Sequence, residues 1–149
     1  MDHAHDVKVL NTLIKTTIDS AKGFADAAGK EQHTQHSQFY GQMADERSHC
    51  AERLQARVTA LGGEPEDAGS FAGAAHRGFM DVKQAVMGDS DEAIVEEVER
   101  GEDYISAKYE TALQDSELSP ETRQVIQQAY QSVRKGHDRA SAMKHQMEG

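Results

Sequence analysis

The sequence predicts an all-α fold: a four-helix bundle with a short crossover helix between bundle helices two and three. Three observations predict it. Trp is absent, Pro occurs twice, and Phe and Tyr occur four times each in 149 residues, a composition poor in strand formers. Apolar residues recur at three- and four-residue steps through long segments. Helix start and stop signals fall between those segments.

The first segment runs from about Asp6 to Ala28, with Val7, Leu10, Ile14, Thr17, Ala21, Phe24 and Ala28 on one face. Gly29-Lys30 makes a short break. The second runs from about Glu31 to Leu61 and ends at Gly62-Gly63-Glu64-Pro65, a double-glycine stop backed by proline. A shorter third segment, about Phe71 to Met87, has Ser70 placed to cap it and Phe71, Ala75, Phe79, Val82 and Val86 along one side. Ser90 is placed to cap the fourth, about Asp91 to Asp115. Ser119-Pro120-Glu121 opens the fifth with a capping serine, a first-turn proline and an acid, and that segment runs to about Met147.

Short connections make segments one and two antiparallel neighbours, and likewise four and five. The third then carries the chain back along the bundle, so that segments two and four run parallel. That is the ferritin-like arrangement with one long crossover, although a five-helix bundle of another topology fits the same signals. No linker or internal repeat divides the chain, and residues 1–149 read as one domain.

The net charge of −10 opposes binding to a phosphate backbone. The one cysteine, Cys50, excludes an intramolecular disulfide and fits a reducing compartment. No apolar run approaches the ~20 residues of a membrane span. The opening Met-Asp-His-Ala-His-Asp lacks the basic and apolar regions of a signal peptide. The expected location is cytoplasmic, without membrane or nucleic-acid partners; homo-oligomerisation is left open.

The chemistry-bearing signal is a set of polar residues on apolar stripes. Phe39, Met43, Cys50 and Leu54 make the stripe of the second helix, with Glu46 in its middle and His49 on its flank. In the fourth segment Glu102 lies close to the centre of a stripe of Ile94, Val98, Ile105, Tyr109 and Ala112, with Glu99 at its rim. In the fifth, His137 flanks a stripe of Val125, Ala129, Val133, Ala140 and Met143. Antiparallel pairing sets Val133 opposite Glu102 and Ile14 opposite Glu46. Gly101 and Gly136 come to nearly one level, as a close approach or a large neighbour would require. Buried carboxylates are costly unless paired. Glu46, His49, Glu102 and His137 are therefore the candidate metal ligands, and such donors suit iron, manganese or zinc.

The set is incomplete. A di-iron carboxylate bundle takes one Glu from each of two helices and Glu-x-x-His from the other two. Here Glu46-x-x-His49 and Glu102 are present, but Arg134 stands where the second Glu of a Glu-x-x-His137 pair belongs. On the first helix the nearest acid, Asp19, projects away from the site. The competing reading makes the inward carboxylates structural, held by Arg, His or Tyr, with Arg53, Arg57 and Arg139 near the stripes. A metal-free acid/base pair of carboxylates is a third class, with no substrate signal beside it. His3-x-His5 and His33-x-x-His36 have spacings that could hold a surface metal, but exposed histidines near helix starts are common and that plainer reading is preferred; Cys50 reads as a small core residue.

Several segments carry a family resemblance. They are Leu10-Asn-Thr-Leu-Ile-Lys-Thr-Thr-Ile-Asp19 with Gly23-Phe24, Glu46-Arg47, Leu61-Gly-Gly-Glu-Pro65, Gly69-Ser70, His76-Arg77, Glu99-Arg-Gly-Glu-Asp103 and His137-Asp138. Together they resemble a mostly proteobacterial family of ferritin-like four-helix bundles known as a domain of unknown function. The resemblance implies the ferritin-like fold and a cytoplasmic location, and no activity. In the wider ferritin-like superfamily, core carboxylates and histidines serve iron oxidation or storage; only Glu46, His49 and Glu102 match that pattern here. Two functions follow as expectations: an iron-related bundle with an incomplete site, or a non-catalytic structural or interaction bundle.

Overall fold

A computed structural model describes residues 3–30, 34–67 and 91–148. Every regular element among them is an α-helix: α1 (Ala4–Lys30), α2 (Thr34–Ala60), α3 (Asp91–Leu113) and α4 (Pro120–Glu148). The fourth and fifth sequence segments are thus α3 and α4. The expected third helix, with its caps Ser70 and Ser90, lies outside the described residues. The α1 helix continues through Gly29 to Lys30, past its expected end.

The helix ends follow from local chemistry. At the end of α2, Gly62 adopts φ +83°, and the Gly63 and Gly62 amides donate to the Val58 and Thr59 carbonyls. This is a Schellman stop, which needs a residue free to take positive φ. Ser119 caps α4, its Oγ accepting from the Thr122 amide at 3.4 Å. The Arg123 guanidinium donates to the carbonyls of Leu113 and Asp115, both at 2.6 Å, and so closes the end of α3.

The helices form a ring in which α1 packs on α2 and α3, and α4 on α3 and α2. At one end Phe24 and Ala27 of α1 meet Tyr40 and Met43 of α2 and Ile94 and Val95 of α3. Towards the other, Leu10 and Leu13 meet Val58, Ala112, Leu118 and Ile126. Hence α1 and α4 run one way and α2 and α3 the other. The end of α2 and the start of α3 lie at opposite ends of the bundle. Buried hydroxyls join α1 to α3, where Thr17 Oγ1 and Tyr109 Oη lie 2.7 Å apart. Burial pushes the Tyr109 phenol upward, against the opposing Thr17 hydrogen bond, so the pair is neutral throughout the ordinary pH range.

Candidate functional site: an arginine–glutamate layer in the core

The two apolar clusters are separate, and Arg47 and Glu102 lie between them. Arg47 comes from the middle of α2 and is fully buried; Glu102 comes from the middle of α3 and is 1 % exposed. The guanidinium meets the carboxylate in fork geometry, Nη1 to Oε1 at 2.7 Å and Nη2 to Oε2 at 2.5 Å. Nη1 also donates to Ser20 Oγ of α1 at 2.7 Å. The Phe24 ring stacks against the guanidinium, its centroid 5.2 Å from Cζ. The fork satisfies both carboxylate oxygens with charge-assisted hydrogen bonds, as a buried pair requires.

The fourth wall is Gly136 of α4. A Cβ built there would overlap the Met43 methyl group and lie 2.6 Å from Arg47 Nη2 and 2.8 Å from Glu102 Oε2. The glycine thus gives the pair its space, which explains a helix breaker inside a long helix. Gly101 has open space where its Cβ would be and takes no part in a close approach.

The structure does not bring the four sequence-predicted residues together. Glu102 is inward, as expected, but spent on Arg47. Glu46 is half-buried at the α2–α4 contact, where Ser132 Oγ donates to it at 3.4 Å. The His49 side chain is 67 % exposed and lies 3.6 Å from Glu52. His137 sits at the surface with Nε2 2.6 Å from Asp103 Oδ1. Burial lowers the His137 pKa, but the Asp103 hydrogen bond and charge outweigh it and hold it above the ordinary histidine value. Glu99, expected at a rim, is tied to α4 by Lys144 at 3.0 Å and Ser141 at 3.2 Å.

Two expectations about geometry are corrected. The centre of the α2 stripe is Arg47, one residue on from Glu46, because Tyr40, Ala51 and Val58 are buried alongside Met43, Cys50 and Leu54. Including those three turns the stripe about 35° at ~100° per residue, carrying Arg47 in and Glu46 to the flank. The arginine that holds the core carboxylate is therefore Arg47, where Arg53, Arg57 and Arg139 were expected. The register also moves: Glu102 meets Gly136 instead of Val133, and the α2 polar residue meets Ser20 and Phe24 instead of Ile14.

Beside the pair, an apolar cavity of about 350 Å³ opens between α1 and α3. Glu102, Ser20, Phe24, Ile94, Val98 and Ile105 are among the residues that line it, with Asp19 and Glu97 adding acid. Asp19 thus lies on the Glu102 side of α1, contrary to the wheel reading. Burial raises the Glu97 pKa. Cys50 is 1 % exposed, and burial raises its pKa too, as suits a core thiol and not a nucleophile.

These features define an all-α bundle whose central polar layer is a buried ion pair. The family described as Domain of unknown function (DUF2383) matches residues 5–115, most of the chain, and the protein belongs to that family. The match ends before α4, which supplies Gly136 to the central layer. A comparison with curated proteins gave no match. No helix among the described residues is long and apolar enough to cross a membrane.

Proposed function

We propose that the protein is a ferritin-like bundle of the non-catalytic kind, acting as a structural or interaction module. In this reading its core carboxylate is neutralised by arginine where a metal-handling bundle would use a cation. The observation that supports this is the Arg47–Glu102 fork. It occupies both oxygens of Glu102, the one fully buried carboxylate of the expected ligand set. A cation there would lie beside a fixed guanidinium charge, with the two histidines of the set turned to the surface. Iron handling by Glu46, His49, Glu102 and His137 would require Glu102 to leave Arg47, and His49 to move in from an exposed position. The same fork opposes an acid/base role for Glu102, each of whose oxygens already accepts a charge-assisted hydrogen bond from Arg47.

The test is anaerobic Fe(II) titration and elemental analysis of the wild type beside Glu46→Ala and Glu102→Gln. The expected result is that metal content is the same in all three. A stoichiometric metal in the wild type that either substitution removes would overturn the proposal.

A further inference from the structure

We propose that one end of the bundle carries a divalent transition-metal site formed by His5, Asp115 and Glu117. His5 lies in the first turn of α1, and Asp115 and Glu117 lie in the turn between α3 and α4. His5 Nε2 is 2.7 Å from Asp115 Oδ2 and 3.7 Å from Glu117 Oε2, and one donor atom from each residue lies within 4.8 Å of the other two. Metal–donor bonds of ~2.0–2.2 Å place neighbouring donors ~3–3.5 Å apart. A small opening of the His5–Asp115 contact and a torsional adjustment of exposed Glu117 reach that spacing, with no backbone change.

The ligand-bearing segments are held together by bonds that the metal would leave intact. Asp115 Oδ1 accepts from the Glu117 amide at 2.9 Å, which leaves Oδ2 facing the imidazole. Arg123 clamps the Asp115 carbonyl. Asp6, next to His5, accepts from the Ser119 hydroxyl at 2.6 Å and from its amide, so the start of α1 is fastened to the same turn. Orienting bonds of this kind fix ligand geometry in metal sites. Two carboxylates and a neutral imidazole give a net −2 donor set. The imidazole favours zinc-like or iron-like cations over magnesium and calcium. The exposed side leaves coordination positions to water, so the bound cation would exchange while bridging α1 to the α3–α4 turn.

The site shares no residue with the central layer and does not depend on the proposed function. The experiment is calorimetric titration of the full-length, tag-free chain with zinc chloride, for the wild type and for His5→Gln, Glu117→Gln and His49→Gln. The expected result is one saturable zinc per chain, weakened at least tenfold by His5→Gln and by Glu117→Gln alike, unchanged by His49→Gln, and not displaced by equimolar magnesium. The absence of saturable binding, a loss in only one of the first two variants, or an equal loss in His49→Gln would overturn it; a surface His–Asp pair with no metal role gives the first of these.

Discussion

Arg47 and Glu102, on diagonally placed helices, meet through two parallel hydrogen bonds at the level where the two apolar clusters of the bundle part. Such a pair contributes little net stability against an apolar replacement, because desolvation offsets most of the Coulomb attraction. What it does strongly is penalise any state in which one partner is buried without the other.

Gly136 and Gly101 should respond in opposite directions to alanine. At Gly136 the added methyl meets Met43, Arg47 and Glu102, and overpacking of about 1–3 kcal/mol outweighs the ~1 kcal/mol gained in helix propensity. Gly136→Ala should therefore unfold at lower denaturant concentration. Gly101→Ala meets nothing and should gain about 0.5–1 kcal/mol. Urea unfolding curves of the two variants check the pair; equal shifts would remove the close-approach account of Gly136.

Ser119 serves two helices: it caps α4 and is the partner of Asp6 from α1. Ser119→Ala should cost about 1 kcal/mol from the lost cap alone. Burial pushes the Asp6 carboxyl up, but the Ser119 and Thr122 hydrogen bonds outweigh it and hold its pKa below the usual 3.8. A depressed carboxyl stabilises the fold above its unfolded-state value and loses that contribution as pH falls towards the folded value. Stability measured from pH 6 down to pH 3 should fall less steeply in Asp6→Asn than in the wild type. Parallel curves would show that Asp6 carries no such linkage.

His137 gives the complementary limb. Its raised pKa means that the protonated ring, beside Asp103, stabilises the fold fully below the unfolded value near 6.5 and loses that contribution as pH rises through the folded value. His137→Gln should flatten the stability profile just above pH 6.5. An NMR titration of the His137 ring giving a midpoint below 6.5 would contradict the assignment.

Much of this was legible in the sequence. The stripes of α1, α3 and α4 placed Leu10, Ile14, Thr17, Phe24, Ile105, Tyr109, Ala129, Val133 and Ala140 in the core, where they are. The Gly62 stop and the Ser119-Pro120 start were read from residue chemistry alone. In α2, however, residues 46 and 47 both fit the three-and-four spacing between Met43 and Cys50. Periodicity cannot choose between them, and arginine looks like a surface residue until its partner is known. Counting Tyr40, Ala51 and Val58 was the signal that favours Arg47.

The register was missed for a different reason. Helical side chains lean towards their own N-termini. Long Glu102 and Arg47 side chains therefore reach past the level of their own Cα atoms and meet later residues on antiparallel neighbours, Gly136 on α4 and Ser20 on α1. The contact of His5 with Asp115 and Glu117 depends on the start of α1 meeting the α3–α4 turn across 110 residues, which no local pattern encodes.

The central claim is that Arg47 holds Glu102, and the most direct measurement is a double-mutant cycle by chemical denaturation, run with and without chelator. Arg47→Met and Glu102→Leu should each lose about 3–5 kcal/mol, because each leaves a buried charge unpaired. The double variant should recover most of that loss, and the chelator should change none of these differences. Additive losses in the double variant, or a Glu102→Leu loss that disappears once metal is removed, would contradict it.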